Sequence, residues 1–128
     1  MVSAKRKENI TIELQAREHT VLADEGAKVG GTDLGPTPHE ILEMALAACT
    51  SMTVQMYANH KQWPLESCDV KVQIVAESTE GTQIQRTVSF RGNLDSEQKT
   101  RLLDIANKCP IHKLLSHPIQ IQTEMAGN

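Results

Sequence analysis

Residues 45–60, ALAACTSMTVQMYANH, set Cys49 in the middle of an apolar stretch of helical period, and residues 106–115, ANKCPIHKLL, set Cys109 directly before Pro110. The tetrapeptide TPHE (37–40) starts the first helix: Thr37 is the N-cap, Pro38 takes the first helical position, and Glu40 stands three residues after the cap to close a capping box. The spacing predicts a helix to about His60, ended by KQWPLES (61–67). Within it Ile41, Ala45, Cys49, Met52 and Met56 recur at three- and four-residue steps, and Leu42 and Leu46 widen the stripe. Cys49 is therefore expected on the buried face.

Working outward, residues 1–8 are charged and read as a flexible tail. Asn9 to Gln15 alternates Ile10, Ile12 and Leu14 with polar neighbours, the period of a half-buried strand, and a second strand is expected from His19 to Ala23. DEGAKVGGTDLGPTP (24–38) is a Gly- and Pro-rich loop whose glycine spacing fits no phosphate-binding pattern. Beyond the helix, Cys68, Val70, Val72, Ile74 and Ala76 share one strand face. STEGT (78–82) turns the chain, and Ile84, Arg86, Val88 and Phe90 share a face of the next strand. Asp95 and Gln98 form a second capping box, opening a helix with Leu102, Ala106 and Cys109 on one side. Cys109 ends it, because a residue before proline disfavours the α region. Pro110 opens a short helix, PIHKLL, and PIQIQTEM (118–125) reads as a last strand. The order ββ-α-ββ-α-β defines one α+β domain over residues 1–128.

Composition removes several function classes. Hydrophobic residues are 39% of the chain but aromatics only 2%, so the core is thin and aliphatic and favours a partner. A net charge of −3 gives no basic face for phosphates, and Trp63, Tyr57 and Phe90 are too scattered to stack bases, which argues against nucleic acid. MVSAKRKENI lacks an apolar leader segment, and Glu43, Ser51 and Gln55 break the apolar runs well short of a membrane span. A soluble, cytoplasmic protein is expected. Its three cysteines match neither a secreted disulfide framework nor a zinc-ligand spacing, and no metal or bound cofactor is expected.

The cysteines carry the chemistry. Cys109 caps the segment opened by Pro110, where free backbone N–H groups favour a thiolate; the alternative is a small apolar residue on a helix face. Cys49 is either inert packing among Ala and Met or a thiol activated by a nearby cation. Arg86 is the candidate cation, since its inward register is costly unless it is paired or reaches a site; it could instead snorkel at a sheet edge. Glu40 lies nine residues before Cys49, on the opposite side of the helix, so it could serve such a site only through another group or across a dimer interface. Cys68 follows the apolar parity of its strand and reads as packing. His60 and His112 take surface or capping roles.

GPTPHEILEMALAACTSMTVQMYA (35–58) together with LLDIANKCPIHKLL (102–115) resembles the OsmC/Ohr family of osmotically inducible and organic-hydroperoxide-resistance proteins, over about Asp24 to Thr123. The resemblance implies an intertwined α+β homodimer with long central helices packed on antiparallel sheets. It also implies a thiol peroxidase for organic hydroperoxides, with Cys49 peroxidatic and Cys109 resolving. A Cys49 sulfenic acid would condense with Cys109 to a disulfide that an external, lipoyl-type dithiol reduces. The family's acidic residue ten positions before the first cysteine falls here on His39, with Glu40 one place later. The family arginine comes from an N-terminal strand, where Arg17 is the nearest equivalent, so Arg17 and Arg86 are rival partners of the thiolate. An OsmC-fold redox-sensing or small-ligand-binding dimer without efficient turnover is the alternative, and a structural dimer with inert cysteines a third.

Overall fold

The computed structural model describes residues 1–127 of the chain, which forms two compact units. One comprises Met1–Ala45 and Gln73–Gln85, the other Leu46–Val72 and the chain from Arg86 onward.

In the first unit, β1 (Ser3–Glu8), β2 (Thr11–Ala16) and β3 (His19–Ala23) form an antiparallel sheet in that order. The segment expected as a flexible tail is thus a strand, paired from Ser3↔Gln15 to Glu8↔Thr11. All six of its residues are exposed, so it has no apolar alternation to read; its ladder is made by the backbone. Two non-glycine residues, Asn9 (φ 51°) and Arg17 (φ 57°), adopt the left-handed turn conformation after β1 and β2. The loop after β3 is tied together by Asp24, 2% exposed, which accepts hydrogen bonds from Thr11 Oγ1 (2.8 Å), Thr32 Oγ1 (2.9 Å) and the backbone N–H groups of Glu25 and Leu34. The bond from Thr11, outweighing burial and joined by the others, lowers the Asp24 pKa to about 2. Gly31 lets this loop close, since a side chain there would collide with the carbonyl of Glu25.

Helix α1 spans Pro38–Lys61. Its capping box is formed as the sequence predicts, with Glu40 N–H donating to Thr37 Oγ1 (3.1 Å) and Thr37 N–H to Glu40 Oε1 (2.9 Å). It ends in a Schellman motif with Gln62 in the left-handed position, Trp63 N–H reaching Ala58 O (2.9 Å). The buried stripe is Leu46, Thr50, Val54 and Ala58. This corrects the expected one: Cys49 is only half-buried, and Met52 and Met56 are exposed. Small and apolar residues surround α1, so period alone did not decide which row faces inward.

Strands β4 (Leu65–Ser78) and β5 (Gly81–Gly92) form the expected hairpin, and Arg86 alternates with Ile84, Val88 and Phe90 on its half-buried face. Helix α2 (Ser96–Ala106) carries the Asp95–Gln98 capping box, with both bonds present at 2.8 and 2.9 Å. Helix α3 (Pro110–Leu115) follows with Cys109 as N-cap. In the second unit Val54 and Ala58 of α1, Leu65 and Cys68 of β4, and Leu102, Ile105 and Ala106 of α2 make one core. Burying these aliphatic side chains is worth about 1.5–3 kcal/mol for each large one.

The expected last strand is not formed: residues 118–125 are irregular, with Ile119, Ile121 and Met125 exposed. An alternating segment becomes a strand only when another edge satisfies its N–H and C=O groups, and among the described residues none pairs with it. Among the described residues no helix is long and apolar enough to cross a membrane.

Candidate active site

The site lies in the second unit, where α1, β5 and the α2–α3 corner each contribute polar groups. The period-2 alternation of β5 points Arg86 inward, and its guanidinium is held at three points. One terminal nitrogen donates to Thr50 Oγ1 (3.0 Å) and the other to Asn107 Oδ1 (2.9 Å) and His112 Nδ1 (2.9 Å). The first also lies 3.9 Å from Cys109 Sγ. Among the described residues no carboxylate forms an ion pair with Arg86.

Cys109 is fully buried. Pro110 fixes it at the N-cap of α3, where its sulfur accepts a hydrogen bond from His112 N–H (3.3 Å) and sits 3.6 Å from Thr50 Oγ1. Burial works to raise the thiol pKa. The His112 N–H leads the groups that overcome it, joined by the neighbouring Cys49 thiol and the charge of Arg86, so Cys109 is lowered from the ordinary cysteine value. His112 is lowered too, by burial first and then by Arg86, which keeps the imidazole neutral at neutral pH. With Nδ1 receiving the Arg86 donor, the ring proton belongs on Nε2.

Cys49 is half-buried on α1, with Sγ 3.9 Å from Thr53 Oγ1. Cys49, Cys68 and Cys109 are all free cysteines. Cys68 makes a useful contrast: it is also buried, but burial and then the charge of Asp69 dominate, and its pKa rises to about 11. Both thiols are buried, and the hydrogen-bond donors around Cys109 decide which sulfur is poised to ionise.

The other expected site residues lie in the first unit. Glu40 is spent on the Thr37 cap. Arg17 is exposed in the turn between β2 and β3, its carbonyl accepting from Gln15 Nε2 (3.1 Å). His39, ten positions before Cys49, binds the Glu77 carboxylate (2.8 Å). Sequence reasoning missed Thr50, Asn107 and His112. Thr50 was findable as the one polar member of the Leu46–Thr50–Val54–Ala58 row. His112, given a surface or capping role, is instead the third residue of α3, the position whose N–H meets an N-cap side chain; its ring contact with Arg86 had no local signal. Among the described residues no three His, Cys, Asp or Glu side chains are grouped to hold a metal ion.

An α+β chain with one half-exposed cysteine and one buried beside an arginine can be placed in a family by comparison with known proteins. The family model described as OsmC-like protein matches residues 30–124, and the chain belongs to this family. Among solved structures it is similar to the OsmC like protein from Mycoplasma pneumoniae, with 18% identity, a TM-score of 0.76, and 91% of this chain and 86% of that one covered. It is similar also to the organic hydroperoxide resistance protein OsmC from Legionella pneumophila (19%, TM-score 0.64, 89% and 86% covered). A third is the organic hydroperoxide resistance protein OhrB of Bacillus subtilis (20%, TM-score 0.61, 89% and 87% covered). At these identities the likeness is one of fold. No curated protein matches the sequence significantly.

Proposed function

We propose that the protein is a two-cysteine thiol peroxidase that reduces organic hydroperoxides. The observation that carries this reading is the pairing of a half-exposed Cys49 with a buried, donor-surrounded Cys109. The Cys49 thiolate attacks the terminal peroxide oxygen, the O–O bond breaks, and the alcohol leaves with a proton, so that Cys49 becomes a sulfenic acid. The Cys109 thiolate then attacks the Cys49 sulfur and displaces hydroxide, which leaves as water. The resulting disulfide is reduced by an external dithiol, which is itself oxidised; a lipoyl-type donor fits this step. The protein needs no bound cofactor for this cycle.

The working assembly in this proposal is a homodimer in the cytoplasm. The exposed Met44, Met52 and Met56 of α1 and the exposed, alternating Ile119 and Ile121 support it, because a second copy would cover the first set and could pair the second. A redox-sensing or ligand-binding dimer is favoured instead by one observation: Arg86 touches Cys109 and not Cys49, which leaves the first step without an evident cation.

Consumption of cumene hydroperoxide by reduced protein, with dihydrolipoamide or dithiothreitol as donor, separates the two. A peroxidase turns over, and Cys49→Ser stops it. A sensor forms its disulfide once and consumes no more. Full turnover in Cys49→Ser sinks the proposal.

A further inference from the structure

We infer that Arg86 is a catalytic residue of the second half-reaction: its guanidinium, fixed beside Cys109, holds that sulfur as the anion that attacks the Cys49 sulfenic acid. The inference rests on the peroxidase reading but assigns the arginine to the opposite cysteine from the one a peroxide meets.

Four observations carry it. The guanidinium is anchored by Thr50, Asn107 and His112, all neutral groups, and no carboxylate pairs with it among the described residues. A half-buried cation held by neutral acceptors leaves the adjacent sulfur, at 3.9 Å, as the group that can supply the opposite charge. Thr50 donates its own hydroxyl proton to Leu46 O at 2.7 Å, so towards Arg86 it acts as acceptor and aims the guanidinium. Cys109 is fully buried, so the electrophile it attacks has to be a neighbour within the protein, while Cys49 remains open to a reagent from outside.

The chemistry requires this arrangement. Disulfide closure forms an S–S bond from a thiolate and breaks the S–O bond of Cys49, with hydroxide taking up a proton to leave as water. A buried thiol without donors ionises poorly, as Cys68 illustrates. Arg86 therefore speeds closure and limits the time for which the sulfenic acid stands exposed to a second peroxide.

The test is a single turnover of full-length, prereduced wild type, Arg86→Met and Arg86→Lys with one equivalent of cumene hydroperoxide, quenched at intervals. Dimedone adducts report the sulfenic acid and intact mass reports the disulfide. Arg86→Met should consume peroxide at close to the wild-type rate, accumulate the Cys49 adduct, and close the disulfide about three- to fifteenfold more slowly, because loss of an adjacent cation raises a thiol pKa by about one to two units while the more basic thiolate regains part of the rate as a better nucleophile. Arg86→Lys should recover part of the closure rate, since it keeps the charge and loses the fork. Raising the pH should restore closure in Arg86→Met; the titrating groups that face the sulfur are Cys49 and His112, and His112 is already neutral. Slower peroxide consumption with unchanged closure would assign Arg86 to Cys49 and overturn the inference. Wild type that neither consumes the peroxide nor forms the disulfide would overturn the peroxidase reading instead. Arg86 is then judged by the ultraviolet thiolate titration of Cys109 in Cys49→Ser against Cys49→Ser/Arg86→Met, where an unchanged titration refutes its role.

Discussion

Replacing Thr50 by Val removes one oxygen from the centre of the site while leaving shape and branching in place. The side chain is fully buried, and its hydroxyl both donates to Leu46 O (2.7 Å) and accepts from Arg86 (3.0 Å). Thr and Val have similar helix propensities, so the backbone contribution nearly cancels. What remains is a hydrogen bond to a charged donor, worth about 1.5–3 kcal/mol. Arg86 is half-buried and keeps its bonds to Asn107 and His112, so the lower end applies, about 1.5 kcal/mol. With a urea slope of about 1–3 kcal/mol per molar for a small protein, the unfolding midpoint should fall by roughly 0.5–1.5 M with an unchanged slope. Protein concentration has to be fixed, since association would shift both curves. A midpoint shift below about 0.2 M would refute the reasoning, because it would mean that Thr50 does not hold the guanidinium.

Leu102→Ala should cost about 2–5 kcal/mol, because Leu102 is fully buried in the core of the second unit; thermal unfolding checks it, and a loss under 1 kcal/mol would contradict the packing. The Asp24 carboxylate has a depressed folded-state pKa of about 2 against 3.8 unfolded, so its stabilisation is fully present above pH 3.8 and is lost as the pH falls towards 2. Melting temperature against pH should drop across that window in wild type and much less in Asp24→Asn. Alkylation at neutral pH should leave Cys68 unmodified in the folded protein, since it is buried and its pKa is about 11; mass mapping of labelled peptides reads this, and rapid labelling of Cys68 would contradict it.

Where local chemistry decides, the sequence was legible. Thr37 with Glu40, Asp95 with Gln98, and Pro110 after Cys109 each specify a helix start through bonds between residues three apart, and all three starts are where the pattern places them. Arg86 was likewise readable as inward-facing from strand parity. Non-local choices were not. The apolar residues of α1 wrap the helix, so nothing in their order separated the Met52 and Met56 row from the Leu46, Val54 and Ala58 row. Strand β1 is held by backbone pairing that its charged side chains do not advertise, and residues 118–125 have strand alternation without an edge to join. The meeting of Arg86 with Asn107, Cys109 and His112 joins residues 21 to 26 positions apart, and no local spacing encodes it.

In the proposed cycle, the burial of Cys109 would also give a Cys49–Cys109 disulfide a direction. An incoming dithiol can approach the Cys49 sulfur, which is partly exposed, but not the Cys109 sulfur, which is not. Reduction would therefore place the mixed disulfide on Cys49 and expel Cys109 as the leaving group. Thiol exchange runs faster as the departing thiolate becomes a weaker base. The donors that lower Cys109 would thus act twice in each cycle, first on a nucleophile and then, with the arrow reversed, on a leaving group.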